Sequence, residues 1–573
     1  MNLKEQIKHT GATFTPKELA AFLAERLTRH IHTSALIKVL DPACGDGELL
    51  LAMKKALHPT GQHYSLTGYD SNEDYLNEAR SRLSDNEMGK VHFHHADFLE
   101  AVDLSHEQLA LGLEAESKGN IINASADIII ANPPYVRTQL LGSEKAQKLA
   151  KKFNLKGRVD LYYPFLIAMT KSLKEGGTLG VITSNRYLST KGGESIRKFL
   201  VDHFEIIELI DLGDTKLFDA AVLPAIFIGK KKKKLDTNSC KTTFLKIYEA
   251  LNGYQGKLES ATSIYDILKH KSPGYFQVGQ RKYKKTNGIL KYDNQPEKPW
   301  QMLSDNETDW VRNIEQNAAS KVGDLFKVRV GIKTTADKVF IRDKWDELGK
   351  DTPEEEVLKD LITQENIARW GLTDTVRLRV LYTHVHQDGK KATIDLEKYP
   401  KAKKYLLSHE AQLKGRNYVI KAKREWFEIW VPQNPGLWKK PKLVFPDISV
   451  SPRFYFDHDG KIVNGNCYWM VANSKDDIDK LRLIQGIANS KLMTRYHDLV
   501  FNNKLYSGRR RYFSQYVEQY PLPAFSSKEA QDIIRIADEL HQASGQSTIE
   551  KLETELEGAV AKAYGVSPVF HPD

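Results

Sequence analysis

Strand-like and helix-like segments alternate through the first 229 residues of this 573-residue chain. Six segments are typical of strands: KVLD (38–41), SLTGYD (65–70), VHFHHAD (91–97), ADIIIA (126–131), TLGVIT (178–183) and EIIELIDL (205–212). Amphipathic segments such as EDYLNEARSRL separate several of them. The alternation predicts an α/β fold, in which a mostly parallel, Rossmann-like sheet carries helices on both faces and ligand sites at the carboxyl ends of its strands.

The rest of the chain has weaker periodicity. Five lysines occupy positions 230–234, few periodic runs follow up to about residue 320, and short strand signals then mix with aromatics and prolines. We therefore expect a first domain in residues 1–243 and an irregular α+β domain in residues 244–525. Apolar residues at helical intervals predict C-terminal helices in residues 526–573 that pack on the second domain.

Charge is distributed unevenly between these two parts. Residues 1–229 contain 26 Lys and Arg against 29 Asp and Glu, whereas residues 230–573 contain 58 against 45, a net charge of +13. A surplus of positive charge is typical of a surface that meets a polyanion, so we expect the second domain to bind nucleic acid.

Several classes of protein are disfavoured by the composition. No apolar run approaches the roughly 20 residues that span a bilayer, and the first residues lack the apolar stretch of a secretory signal. We therefore expect a cytoplasmic protein without a membrane partner. The three cysteines are scattered, and no HExxH or CxxC pattern accompanies the histidines, so we expect no metal site.

Glycines and acids follow the first three strands where they end. The first strand runs into DPACGDG (41–47) and a helix, while Asp70 and Asp97 close the next two strands. These carboxylates would repel a phosphate, and no GxxxxGK[ST] loop is present to offset them. They suit a nucleoside that carries positive charge, and we therefore predict S-adenosylmethionine as the cofactor.

The fourth strand ends in the motif Asn132-Pro133-Pro134-Tyr135. Methylation of an exocyclic amine requires that the nitrogen lone pair be drawn out of the ring, and two hydrogen-bond acceptors achieve this. The side-chain oxygen of Asn132 and the carbonyl of Pro133 can supply them, because the prolines hold both in place. Tyr135 offers a flat face to a base removed from the duplex. We predict that these residues are catalytic.

The order of these motifs resembles that of the gamma-class, TaqI-like adenine-N6 DNA methyltransferases, which carry a C-terminal specificity domain. The resemblance is strong from about residue 10 to 229 and weaker from about 320 to 565. It implies site-specific transfer of a methyl group from S-adenosylmethionine to N6 of an adenine flipped from duplex DNA. It also implies direct transfer, without a metal and without a covalent enzyme intermediate.

The family motifs assign roles to individual residues by resemblance. Asp70 would bind the cofactor ribose, Asp97 its adenine amino group, and Phe98 and Phe165 the two faces of its adenine ring. Phe218 would stack on the flipped base opposite the motif tyrosine, unless it is a core residue. The other predicted cofactor-binding residues are Thr15 (in TPKE), Asp41, Pro42, Ala43, Cys44, Gly45 and Gly47.

Two of these segments leave a question open. Thr15 would lie near the methionine part of the cofactor, but the same residues also form a helix-capping pattern. Asp46 stands where the family more often has Ser, which leaves the role of that one position undecided.

Basic residues interleaved with aromatics mark the second domain, and the densest cluster is NKLYSGRRRYF (503–513). We predict DNA contacts from Lys504, Tyr506, Arg509, Arg510 and Arg511. The resemblance further implies a monomeric modification enzyme paired with a restriction endonuclease, and a target palindrome containing TCGA.

Other interpretations stay open. An NPPY motif also occurs in methyltransferases that act on rRNA guanine N2 or protein glutamine, and competition among DNA, RNA and protein substrates separates these. Methylation of cytosine N4 stays open as well, because the same two acceptors serve any exocyclic amine, although the family usually has Ser in place of Asn132 in that case. A DNA-binding subunit with an inactive cofactor fold would not bind S-adenosylmethionine. We expect no fused nuclease, because the motifs begin near residue 15 and no PD…(D/E)xK pattern follows.

Overall fold

The computed structural model describes residues 14–31, 36–102, 124–135, 143–153, 160–218, 223–233, 241–250, 257–290, 292, 296, 298–373, 377–501 and 508–567. Internal contacts divide the chain into two units, the first ending at Asp305 and the second beginning at Asn306. The boundary expected at 243/244 does not separate these units, because it falls inside the strand Thr243–Glu249.

One sheet forms the frame of the first unit. Within the described residues it contains eleven strands, in the order β3-β2-β1-β4-β5-β7-β6-β8-β11-β10-β9. The strands are β1 Ile37–Asp41, β2 Tyr64–Asp70, β3 Gly89–His95, β4 Ala126–Ala131, β5 Leu173–Ser184, β6 Phe204–Asp211, β7 Pro224–Lys231, β8 Thr243–Glu249, β9 Leu258–Ser260, β10 Gly274–Val278 and β11 Arg281–Ile289. Neighbours from β3 to β5 are parallel, and β7 runs antiparallel between β5 and β6. All six strands predicted from the sequence are present, and the predicted fold class is confirmed.

Helices cover both faces of this sheet. They are α1 Lys17–Thr28, α2 Glu48–Leu57, α3 Glu73–Arg82, α4 Phe98–Ala101, α5 Ser143–Lys152, α6 Tyr162–Ser172, α7 Arg186–Ser189, α8 Glu194–His203 and α9 Ile264–Lys269, with short 3-10 helices at His58–Thr60 and Lys191–Gly193. Alternate residues of β4 enter two different cores: Ile128 and Ile130 pack with α1 and α2, whereas Ile129 and Ala131 pack with α6. Burial on both faces explains why this strand is a continuous apolar run.

The stretch from 235 to about 305, which the sequence indicates is irregular, adds four strands to the sheet. β8 pairs parallel with β6, β11 pairs antiparallel with β8 and β10, and β9 pairs parallel with β10. Lys285 occupies an inward-facing position of β11, and its ammonium donates to the carbonyl of Ile267 at 2.8 Å and contacts that of His270. Burial lowers the pKa of Lys285 to about 8. Because a lysine occupies a core position of β11, the alternation of apolar and polar residues that would identify this strand from the sequence is interrupted.

The second unit is an irregular α+β body, as expected. Two four-stranded sheets join Arg329–Val330, Cys467–Val471, Lys442–Pro446 and Tyr455–Asp457, and separately Ile341–Arg342, Arg379–Leu381, Leu358–Ile362 and Ile462–Val463. Shorter pairings involve Ser320–Lys321 with Pro521–Leu522, His384–Gln387 with Lys390–Thr393, and Ile448–Ser449 with Arg510–Arg511. The helices are Asp305–Gln316, Val322–Leu325, Asp337–Phe340, Pro400–Ser408, Glu410–Lys414, Asn417–Lys421, Lys475–Asn489, Lys491–Phe501, Ser514–Val517, Lys528–Gln542 and Gln546–Ala563, with 3-10 helices at Trp345–Asp351, Glu355–Val357, Leu396–Lys398 and Pro435–Leu437.

The last two helices belong to the second unit and pack on its helix Lys475–Asn489. Gly486 in the helix Lys475–Asn489 allows the approach, since a Cβ there would lie only 2.6 Å from Ile533 Cγ2 and 3.3 Å from Leu556 Cδ1. Leu556, Val560 and Tyr564 are buried along the final helix and the residue that follows it.

The observed boundary changes which unit carries the surplus of positive charge. Residues 230–305 contain 16 Lys and Arg against 7 Asp and Glu, and residues 306–573 contain 42 against 38. Most of the net charge of +13 therefore belongs to the first unit. The second unit is only slightly basic, so the expectation of a strongly basic second domain was wrong. Among the described helices, none combines the length and apolar composition needed to cross a membrane.

Candidate functional site

A cavity of about 330 Å³ opens at the carboxyl ends of β1, β2, β3 and β4. These strands are parallel, so the residues that follow them meet at one edge of the sheet. Of the predicted site residues, those lining the cavity are Pro42, Ala43, Gly45, Asp70, Asp97, Phe98, Asn132 and Phe165. The structure thus brings both predicted groups, the cofactor loop and the NPPY motif, to one cavity.

Asp70 fastens the glycine loop to the end of β2. Its Oδ2 accepts a hydrogen bond from the Gly45 N–H at 2.9 Å, and its Oδ1 accepts one from the Asn72 N–H at 2.9 Å. Gly45 has φ +52°, and Gly47, where α2 begins, has φ +81°. A Cβ at Gly47 would lie 2.9 Å from Leu83 Cδ1, so both backbone conformation and space require glycine there.

Asp41 and Cys44 support this loop from beneath and do not line the cavity. Asp41 is fully buried; its Oδ1 accepts from the Ala43 N–H at 3.1 Å, and its Oδ2 has no hydrogen-bond partner among the described residues. Burial, reinforced by the charge of Asp70, raises the pKa of Asp41 to about 8. Burial also raises the pKa of the Cys44 thiol, which is therefore neutral.

Asp46 stands where the family more often has serine. Its carboxylate pairs with Arg82 at 2.6 Å, and Arg82 also contacts Glu48. This position therefore ties the loop to α3 through Arg82.

Asp97 has two partners. Its Oδ1 caps α4 by accepting from the Leu99 N–H at 3.1 Å, and its Oδ2 accepts from Lys145 Nζ at 2.8 Å. Lys145 lines the cavity and was missed by sequence reasoning, because no spacing relates it to a carboxylate 48 positions earlier. It neutralises one of the acids at the cavity wall.

Phe98 and Phe165 face the cavity as a parallel pair. Their ring centroids are 6.4 Å apart and the ring planes differ by 10°. Phe14, which sequence reasoning also missed, lies at the glycine loop with its ring edge-on to Tyr75 at 5.2 Å. Its only signal is its position next to the TPKE segment.

Hydrogen bonds hold the Asn132 side chain at both ends. Its Nδ2 donates to Thr15 Oγ1 at 3.0 Å, and its Oδ1 accepts from the Tyr135 hydroxyl at 2.7 Å. Asn132 is only 9% exposed, and burial raises the pKa of Tyr135, so the phenol is a neutral donor. Thr15 makes no side-chain cap to α1, whose N-cap is Pro16, and its hydroxyl serves the asparagine instead. Pro133 is buried between Asn132 and the half-buried Pro134.

Phe218 is 8% exposed and packs within the core cluster on the α1 and α2 side of the sheet. The structure therefore places it among core residues, and its stacking on a flipped base stays a prediction.

The predicted DNA-binding cluster divides into three cases. Lys504 and Tyr506 lie outside the described residues, and Arg509 is exposed. Arg510, by contrast, is 3% exposed and bonds to both carboxylate oxygens of Asp498, at 2.6 and 2.7 Å. This geometry is structural, because a buried and fully paired guanidinium cannot reach a phosphate.

Arg511 is half-buried within the same cluster. It pairs with Asp447 at 3.0 Å, and its guanidinium lies 4.3 Å from the Phe513 ring centroid. These contacts fix its position without burying it completely.

Comparison with known proteins identifies the family. One family model, Eco57I restriction-modification methylase, matches residues 47–218, and a second, TaqI-like C-terminal specificity domain, matches residues 387–522. The chain is 44% identical to the type II methyltransferase M.BanIII of Aneurinibacillus aneurinilyticus over 98% of this chain and 97% of that protein. It is 26% identical to the type II methyltransferase M.BstVI of Geobacillus stearothermophilus over 92% of each.

A solved structure shares the fold. The type IIL restriction-modification enzyme MmeI, determined in complex with DNA, has a TM-score of 0.59 at 15% identity, with 96% of this chain and 72% of that chain covered. With the near full-length match to a curated relative, these similarities establish that the chain belongs to the type II DNA methyltransferases of restriction-modification systems.

Proposed function

We propose that the protein methylates N6 of adenine in duplex DNA, with S-adenosylmethionine bound in the cavity at the carboxyl ends of β1 to β4. The observation that carries the proposal is the doubly anchored Asn132 amide, which lines the same cavity as the parallel Phe98 and Phe165 rings. A fixed hydrogen-bond acceptor beside two parallel aromatic rings is the arrangement expected for methyl transfer from a nucleoside cofactor to an amine of a base.

The cavity residues fit the cofactor. A planar ring between two others needs about 7 Å, or two van der Waals separations of about 3.5 Å. The Phe98 and Phe165 rings are nearly parallel with their centroids 6.4 Å apart, and we propose that the cofactor adenine binds between them after the rings separate. Asp97 would accept from the adenine amino group and Asp70 from the ribose hydroxyls. When bound, S-adenosylmethionine supplies the methyl group.

The Asn132 amide is oriented before any substrate arrives. Thr15 fixes the nitrogen end and Tyr135 the oxygen end, so Oδ1 points toward its donor in a defined direction. A carbonyl oxygen has two lone pairs, and Asn132 can therefore accept an N–H of the target amine while it keeps the Tyr135 hydroxyl. A preorganised acceptor of this kind needs no reorientation as positive charge develops on the amine.

We further propose that the second unit recognises the DNA sequence. The match to a TaqI-like specificity domain supports DNA recognition by the second unit, where Arg509 and Arg511 remain candidates for phosphate contact. We further propose that the enzyme acts as a monomer and that a restriction endonuclease of the same specificity accompanies it. Size-exclusion chromatography with light scattering tests the first point.

Analysis of the methylated nucleoside tests which base is the substrate. Purified protein is incubated with S-adenosylmethionine and plasmid DNA, the DNA is digested to nucleosides, and the products are separated by mass spectrometry. N6-methyldeoxyadenosine is the expected product; N4-methyldeoxycytidine, or methylation of RNA or protein in preference to DNA, would refute the proposal. Sequencing of modified bases in the same DNA gives the recognition site.

A further inference from the structure

The strand Arg329–Val330 lies at the edge of a four-stranded sheet in the second unit. It pairs antiparallel with Cys467–Val471, and the register places Arg329 opposite Trp469. Paired residues point to the same side of a sheet, so the Arg329 side chain lies on the face that carries the Trp469 ring. Trp469 belongs to a core cluster and to the region that matches a TaqI-like specificity domain. Arg329 therefore borders the core of that domain.

The guanidinium of Arg329 rests on a fixed aromatic surface. Its Cζ is 5.7 Å from the centroid of the Trp469 ring. Trp469 is fully buried, its ring stacks on that of Trp438 at 4.7 Å, and its Nε1–H donates to the Val330 carbonyl at 3.1 Å. A contact of this kind limits the motion of a flexible side chain, so less entropy is lost when the guanidinium binds a ligand.

Most of the hydrogen-bonding capacity of Arg329 is unused. A guanidinium carries five N–H donors, and among the described residues the Arg329 side chain donates only to the Lys327 carbonyl, at 3.0 Å. None of its nitrogen atoms is both buried and without a partner, and the residue is half-buried, so the remaining donors reach solvent. These N–H groups are therefore accessible to a ligand.

The charge of Arg329 is partly desolvated without a carboxylate beside it. Burial alone lowers the pKa of Arg329, and no charged neighbour among the described residues opposes this shift. Two buried arginines of the same unit have partners within the protein: Arg416 donates to three backbone carbonyls at 2.6 to 3.1 Å, and Arg510 pairs with Asp498. Because a desolvated charge without acceptors is unfavourable, the contrast indicates that a ligand supplies the acceptors of Arg329.

This arginine lies in a basic segment. Residues 325–336 contain no Asp or Glu, and Lys327 and Lys333 are exposed within them. The acids that flank the segment, Asp324 and Asp337, each accept a hydrogen bond from a residue three positions earlier in the chain. The local surplus of positive charge favours a polyanion as the ligand.

The backbone that carries Arg329 is anchored by Gln433. The Nε2 of Gln433 donates to the Val330 carbonyl at 2.8 Å, and Gln433 itself has φ +63°, in the left-handed region. This conformation is unfavourable for a residue other than glycine and persists only where the surrounding structure requires it. The edge strand is therefore held by a side chain as well as by its one partner strand.

We propose that Arg329 binds duplex DNA by donating two N–H bonds to a pair of acceptors, either O6 and N7 of a guanine or two oxygens of a backbone phosphate. Arginine suits both ligands, because its planar fork of donors matches paired acceptors. The inference rests on the proposed function in one respect, namely that the second unit recognises DNA.

The test compares DNA binding by the full chain and by its Arg329→Gln variant. Selection from random duplexes first gives the site that the parent prefers. Fluorescence anisotropy then measures affinity for that site, for versions with each base pair replaced in turn, and over a series of salt concentrations.

The two acceptors give different results in this test. If Arg329 binds a guanine, the variant loses about 5- to 150-fold of discrimination at one G·C pair. If it binds a phosphate, affinity falls for every duplex, and the slope of log K against log salt becomes shallower by about 0.9. Parental discrimination at every position together with a parental slope would overturn the proposal.

Arg453 provides a matched control in the same unit. It is also half-buried, but its Nε donates to Ser449 Oγ at 3.1 Å and its Nη1 to the Ile367 carbonyl at 3.0 Å. Arg453→Gln removes the same charge and should keep the parental discrimination and slope. Equal losses in the two glutamine variants would show a general effect of charge removal, and the role of Arg329 would be rejected.

Arg329→Lys keeps the positive charge but removes the planar pair of donors. It should bind the preferred site at least about fivefold more weakly than the parent, because one ammonium does not reproduce the paired bonds to either kind of acceptor. Parental affinity of a folded Arg329→Lys protein would overturn the proposal, even if Arg329→Gln does not fold.

Binding is measured without methyl transfer, so the two proposals fail in different ways. A parent protein that prefers a DNA site but methylates another substrate refutes only the proposed function. A parent protein that binds no DNA overturns the role of Arg329 as well.

Discussion

Replacing Asn132 by Ala separates the chemistry of the clamp from the stability of the fold. The variant loses the acceptor that we propose for the target amine, and loss of one preorganised transition-state hydrogen bond typically costs about 3 kcal/mol, or about 10²- to 10³-fold in rate. It also loses the side-chain bonds to Thr15 and Tyr135, each contributing about 1 kcal/mol to folding. The unfolding free energy should therefore fall by about 2 kcal/mol.

Single-turnover methylation at saturating DNA and S-adenosylmethionine measures the first effect, and chemical denaturation the second. Asn489→Ala is the matched control: this asparagine is 2% exposed in the second unit and makes bonds of 2.9 Å to Phe454 and Arg369. It should lose comparable stability and retain the parental rate constant under conditions where it is folded. A folded Asn132→Ala enzyme whose rate constant stays within about threefold of the parent would refute the proposed role of Asn132 as acceptor for the target amine.

Three other outcomes are expected. Phe165→Leu keeps apolar volume but removes one of the two aromatic rings that we propose to bind the cofactor adenine. Calorimetry should then show S-adenosylmethionine binding about fivefold more weakly, consistent with about 1 kcal/mol of stacking. An unchanged affinity would contradict adenine binding between Phe98 and Phe165. The pKa of Asp41 is about 8 in the folded protein against an ordinary 3.8, so its contribution to stability is complete below about pH 4 and is lost as the pH rises through about 8. Asp41→Asn should therefore flatten the pH dependence of the unfolding free energy between these values. A pH dependence parallel to that of the parent would argue against a buried proton on Asp41. Arg510→Ala should destabilise the protein by about 3 to 5 kcal/mol, since Asp498 loses its buried partner, whereas the exposed Arg509→Ala should leave the unfolding curve unchanged and lower the salt slope of DNA binding by about 1. The opposite pattern for the two arginines would restore the sequence-based assignment.

The sheet around the cavity could be predicted because each local signal agrees with the fold. Residues 128–131 of β4 are all apolar because they are buried on both faces of the sheet, and positive φ at Gly45 and Gly47 explains the glycines after β1. The carboxyl ends of parallel strands then bring distant motifs together without further information.

The remaining features depend on tertiary partners that no spacing reveals. β11 was missed because Lys285 occupies a core position, where carbonyls from residues 15 to 18 positions earlier satisfy its ammonium. Lys145 gains its role from Asp97, and Arg510 loses its predicted one to Asp498. A charged residue in a sequence does not indicate whether its partner is solvent, ligand or protein.

The position of the unit boundary has a practical consequence for exchanging DNA specificity among relatives. A chimaera joined at residue 243 would take β8 to β11 from a different chain, and if these strands did not pair with β6, the free edge of β6 would be a template for aggregation, although β6 would stay paired with β7. Joining at residue 305 keeps the sheet whole. The domain that recognises the DNA sequence would then be exchanged without breaking the sheet that forms the cavity.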